Sequence, residues 1–100
     1  MLYSVKLKRE AKTDISKVYD YIEQMLFAPI AANNFLSGIY VCIANLEVNA
    51  PIYAISNYSD VLCYGLNART VSYKSFVIIY TIHGRYVLIH RIIHGSLIKK

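Results

Sequence analysis

The residues able to move a proton near neutral pH are three histidines, His83, His90 and His94, all in the last fifth of the chain. Arg91 lies between the last two. A histidine next to a guanidinium could supply acid–base chemistry and a cation for developing negative charge. Arg91 and His94 are therefore the catalytic candidates, and no further residue completes a constellation around them. Each also has a plainer role. Arg91 can snorkel to the rim of the sheet or pair with a carboxylate such as Glu23 or Glu47. His94 can be a hydrogen-bonded structural histidine, His90 part of a half-open face, and His83 a turn residue. No two histidines have the i, i+4 helical spacing of a metal site, and Cys42 and Cys63 are remote from them, so neither metal nor cofactor is implied. The two cysteines lack C-x-x-C spacing and read as reduced thiols of a cytoplasmic protein. Other cations crowd the chain near its start, at Lys6, Lys8, Arg9 and Lys12, and recur at Arg69, Lys99 and Lys100. The formal charge is +5, which leans towards an anionic partner, either nucleic acid or an acidic protein. Arg69, Lys99 and Lys100 are the candidates for contacting such a target.

Three strands must position these groups. Arg69 to Tyr73 alternates, and Lys74-Ser75 is a polar break. Phe76 to Ile82 and Tyr86 to Ile93 are aromatic and β-branched runs on either side of His83-Gly84. With His83 and Gly84 as the two central turn residues, Ile82 pairs with Arg85, Tyr80 with Val87, Ile78 with Ile89 and Phe76 with Arg91. Residues opposite one another share a face. One face thus carries Ile78, Tyr80, Val87 and Ile89 and should pack on helices. The other carries Val77, Ile79, Thr81, Tyr86, Leu88 and His90, too apolar to stay bare in water.

Ahead of the meander, Tyr3, Val5 and Leu7 alternate with Ser4 and Lys6 in a short strand. The period then changes. Ile15, Val18, Tyr19, Ile22, Met25 and Leu26 form one helical stripe, with Thr13 or Asp14 as cap and Ala11 extending it backwards. Pro29 opens a second helix whose apolar positions are Ala32, Phe35, Leu36, Ile39, Ile43 and Leu46, ending near Glu47 or Val48. Gly38 inside it either allows close approach of the first helix or is merely tolerated. So short a connection makes the two helices an antiparallel hairpin. Residues 49–67 read as an irregular loop pinned by Tyr53, Ile55, Tyr58, Val61 and Leu62. The fold class is α+β: strand, two-helix antiparallel hairpin, then three-stranded antiparallel meander, in one domain of 100 residues. No apolar run approaches the roughly 20 residues of a membrane span, and MLYSVKLKRE does not read as a signal peptide.

This order of elements, with AKTDISKVYDYI, PIAANNFLSGIYVCIANLEVNAP, VSYKSFVIIYTI and RYVLIHRIIHG in succession, resembles the RelE/ParE family of bacterial type II toxins. The resemblance spans nearly the whole chain apart from residues 52–64. It implies a small growth-inhibiting toxin held inactive by a cognate antitoxin. One branch of that family cuts messenger RNA in the ribosome; the other poisons DNA gyrase. The cutting branch projects a basic residue from the start of its third strand and others beyond its last. Here those places hold Phe76-Val77-Ile78 and Ser96-Leu97. The resemblance therefore favours a ParE-like binder, with a ribosome-dependent endoribonuclease, or a degenerate member that only binds antitoxin, as alternatives. No element remains to cover the face bearing Val77, Ile79, Tyr86 and Leu88. These four residues form the expected antitoxin groove, rimmed by Lys99, Lys100 and the Lys6–Lys12 cluster. A homo-oligomer is compatible with the sequence.

Overall fold

A computed structural model describes residues 2–98. The chain forms β1 (Ser4–Leu7), α1 (Arg9–Asp20) running into a π-helical turn (Tyr21–Met25), and α2 (Pro29–Asn49) with a 3₁₀ turn (Ala50–Ile52). A short helix, α3 (Ser59–Leu62), precedes β2 (Arg69–Tyr73), β3 (Phe76–His83) and β4 (Tyr86–His94), and Gly95–Leu97 closes with another 3₁₀ turn. The four strands make one sheet in the order β1-β4-β3-β2, with β1 parallel to β4 and the rest antiparallel.

The helices α1 and α2 lie on one face of this sheet. Ala11, Ile15, Phe35, Ile39, Ile43 and Leu46 pack with Ile78, Tyr80, Val87, Ile89 and Ile92 in the main core. The Tyr19 hydroxyl meets Asn33 Oδ1 at 3.1 Å, so the end of α1 lies beside the start of α2, as in an antiparallel hairpin. Tyr80 is fully buried and donates its hydroxyl to Ala50 O at 2.7 Å, tying the sheet centre to the end of α2. Burial pushes its phenol pKa strongly up.

The hairpin register differs from the sequence expectation. His83 pairs with Tyr86, so Gly84 and Arg85 are the central turn residues. Gly84 has φ +59°, and the first central position is where a II′ turn places glycine. The slip moves each partner on β4 by two positions: Tyr80 pairs with Ile89 and Ile82 with Val87. A shift of two preserves the alternation of faces, so Ile78, Tyr80, Val87 and Ile89 still point to the helices. Beyond a bulge between Ile79 and Tyr80 the alternation reverses on β4. Ile78 then faces Ile92, and Phe76 faces His94.

Two further expectations change at the helices. α1 starts at Arg9, so Asp14 is interior rather than a cap, while Ala11 is fully buried on the stripe. Gly38 makes room for β2, not for α1: a Cβ there would overlap the phenol of Tyr73. In addition, Pro29–Ile52 is one helical stretch long and apolar enough to cross a membrane by length and composition, with mean hydropathy 1.3. Its Asn and Ser residues break the apolar runs in the sequence, but its composition remains close to uncharged.

Candidate functional site

The second face of the sheet is partly covered, which corrects the expectation of an open groove. The segment after α2 folds back over it through α3. Val61 and Ala68 are fully buried against Ile79, with Tyr64, Val77, Ile93 and Ile98 packed around them. Val61 thus pins this segment on the second face and the half-buried Tyr53 packs on the main core, whereas Ile55 and Leu66 are at least half exposed. Ile79 has no accessible surface and cannot contact a partner. Val77 is half-buried beneath the same segment. Leu88, half-buried, and Tyr86, exposed, remain at the other end of the face. No periodicity announces this cover, because Val61 comes from the four-residue α3 while Tyr64 and Ala68 come from the irregular chain after it.

Under the open end sits a polar cluster. Thr81 Oγ1 lies 2.6 Å from His83 Nε2 and 2.8 Å from His90 Nε2. A hydroxyl has one proton to give, so it donates to one ring and accepts from the other. His90 is buried, contrary to its surface reading, and its Nδ1 has no partner among the described residues. Leaving a lone pair unpaired costs less than leaving a buried N–H unpaired. This favours His90 donating from Nε2 to Thr81, and Thr81 donating to His83. Burial lowers the His90 pKa, with Lys8 and His83 adding to the effect and Glu10 opposing it. Above the cluster, His83 stacks on Tyr86 at 5.1 Å and Lys6 Nζ lies 5.0 Å from the Tyr86 ring. Only the tertiary fold brings these groups together; the Thr-x-His spacing on one strand carries no signal by itself.

The two catalytic candidates line a common cleft of about 260 Å³ with Lys17, Phe76 and Leu97. Arg91, however, is already engaged. Its Nε and Nη2 donate to Asp14 Oδ2 and Oδ1 at 2.7 and 2.9 Å, a bidentate pair. Asp14 Oδ2 also accepts the Ile92 N–H at 2.9 Å. β1 ends opposite Ile89, so this N–H belongs to the part of β4 that β1 no longer covers. A helix carboxylate thus takes the place of a missing strand. The partner expected from sequence was Glu23 or Glu47; the choice of Asp14 follows from the bulge, which could not be read beforehand. The Asp14 bond holds the Arg91 pKa well above its ordinary value. His94 is exposed, its Nδ1 accepting the Ser96 N–H at 3.2 Å and lying 2.7 Å from Ser96 Oγ. Its ring meets Phe76 edge-on at 5.7 Å.

Arg69 is likewise occupied. Its Nη1 donates to Pro51 O at 3.2 Å and to Tyr53 O, fastening the start of β2 to the segment after α2. The guanidinium expected to contact a target is thus also tied into the fold. Lys99 and Lys100 lie outside the described residues.

A family model described as ParE toxin of type II toxin-antitoxin system, parDE, matches residues 5–98. The chain belongs to the ParE toxin family. Among solved structures, a chain of the chromosomal ParDE TA system from P. aeruginosa shares this fold with a TM-score of 0.75. It is 23% identical, covering 93% of this chain and 96% of that one. No curated protein matches. The ParE assignment agrees with the expected strand, helical hairpin and meander.

Proposed function

We propose that this ParE-family chain inhibits growth in the cytoplasm by binding a cellular target, with DNA gyrase the leading candidate, and that a cognate antitoxin neutralises it. The observation that carries the binding reading is the bidentate Arg91–Asp14 pair. RNA cleavage needs cations held against a phosphate, and Asp14 neutralises the one guanidinium that lines the His94 cleft, leaving the exposed Lys17 as the cation beside His94.

The antitoxin seat is the accessible end of the second face, at Tyr86 and Leu88. It adjoins Lys6, which pairs with Leu88 and lies over the Tyr86 ring, and Lys8, whose charge reaches His90, so it suits a segment with apolar side chains and acidic flanks. Leu88 pairs across the sheet with Lys6 on one side and Thr81 on the other. Leu88→Asp should leave the domain folded and abolish co-purification with the antitoxin encoded beside it. Unfolding of that variant would place Leu88 in the core and refute the seat. Expression without antitoxin tests the target: arrest with DNA damage supports gyrase, whereas arrest with cleaved messages that requires His94 supports the endoribonuclease.

A further inference from the structure

The helix α2 carries two apolar stripes on opposite sides. Ala32, Phe35, Ile39, Ile43 and Leu46 face the sheet and are buried. Diametrically opposite, Ile30, Asn34, Ser37, Val41, Ala44 and Val48 follow one another at intervals of four and three and are all exposed. Ile30 is 76%, Val41 60% and Val48 59% accessible. Phe27 precedes the stripe at 86%, and Ile52 follows it at 70%. Phe27 is held there in a left-handed backbone with φ 51°, uncommon for an aromatic residue, at the end of a π-helical turn. An ordinary solvated helix face would be charged. Here the 21 residues of α2 include a single charge, Glu47.

The charge map says what can cover this stripe. No lysine or arginine occurs between Val18 and Ala68, whereas Asp20, Glu23, Glu47 and Asp60 fall in that interval. All eleven cations lie outside it. An acidic antitoxin segment finds no complement on α2. A bilayer would bury Asn34 and Ser37 unpaired and meet no cation for its headgroups. For two molecules that each carry +5, this neutral side is where approach costs least.

We infer that α2 pairs antiparallel with α2 of a second copy of this chain, about a two-fold axis near Ile39. The spacing is self-complementary under that operation. Ile30 meets Val48 of the other copy, Asn34 meets Ala44, and Ser37 meets Val41, while each exposed Phe27 reaches the Pro51–Ile52 turn. Small residues at Ser37 and Ala44 let the helices come close, and each larger apolar residue is set against the other half of the pair. Glu47 lies off the stripe and meets no like charge. The inference is independent of the toxin reading, since it uses neither the Tyr86–Leu88 face nor the His94 cleft.

The test is the mass of the purified full chain by light scattering across a concentration series, together with Val41→Glu and Val48→Glu. The chain should run near twice 11.4 kDa. Each variant should fall to the monomer mass with an unchanged circular dichroism spectrum. Independently of those variants, Ser37→Cys chains mixed with Val41→Cys chains, both carrying Cys42→Ser and Cys63→Ser, should form a covalent dimer on mild oxidation. A wild-type monomer at every concentration overturns the inference, as does a dimer that both glutamate variants leave intact. So does a monomer that sediments with phosphatidylcholine vesicles, or the absence of the mixed crosslink.

Discussion

At the scale of single residues, the chemistry-bearing side chains are mostly spent on holding the fold. Asp14 is nearly buried and satisfies three donors at once, two from Arg91 and one from the Ile92 backbone. Asp14→Ala would leave a half-exposed guanidinium and an unpaired strand N–H, costing roughly 3 kcal/mol in chemical denaturation. Asp14→Asn should recover part of that through the remaining oxygen. His90 gives a pH signature. Its folded pKa lies below the ordinary 6.5, so the unfolded chain takes up the proton first as pH falls. Stability should therefore decline from about pH 7 to about pH 5, and His90→Leu should flatten that slope. A wild-type denaturation midpoint that is constant over this range would show that His90 meets protons equally in both states. The groups facing it are Thr81, His83 and Tyr64, with Lys8 and Glu10 acting through their charge.

At the scale of elements, Gly38 sets the distance between α2 and β2. Gly38→Ala would drive its methyl group into the Tyr73 ring, overpacking that costs about 1–3 kcal/mol. In a chain that already carries Tyr73→Ser, adding Gly38→Ala should cost little further in a thermal melt, because the clash is with that one side chain. This contact shows where sequence reasoning stopped. The glycine was legible as a close approach, but its partner was not, since β2 and α2 meet only in three dimensions. Likewise the core face of β3 and β4 followed from alternation alone, even though the turn sat one residue later than expected, because a two-residue slip keeps parity. The bulge broke parity for Arg91 and Ile92, and no residue type announces it. The cover formed by α3 was hidden because its buried residues, Val61 and Ala68, fall seven apart with no regular element spanning them. The catalytic candidates line one cleft, yet nothing local to Arg91 revealed that Asp14 would claim it.

At the scale of the molecule, charge is segregated. The cations lie before Val18 and from Arg69 onwards, and the middle of the chain has none. Long-range attraction should therefore act on how fast an acidic antitoxin arrives, more than on how long it stays. Raising salt should slow association steeply in stopped-flow measurements while dissociation changes little. Equal effects on both rates would mean that the charges are buried in the complex rather than arrayed at its rim.

The parallel pairing of β1 with β4 has a temporal consequence. Ser4 finds its partner in Tyr86, nearly the full chain away, and β4 is also the strand that joins β1 to β3. A nascent chain can form its helical hairpin early, but the sheet has no centre until β4 has been synthesised. Closing so long a loop is slow compared with local helix formation. Every product shorter than β4 therefore lacks the surface at Tyr86 and Leu88, and the polypeptide acquires its recognisable shape only once that strand has been synthesised.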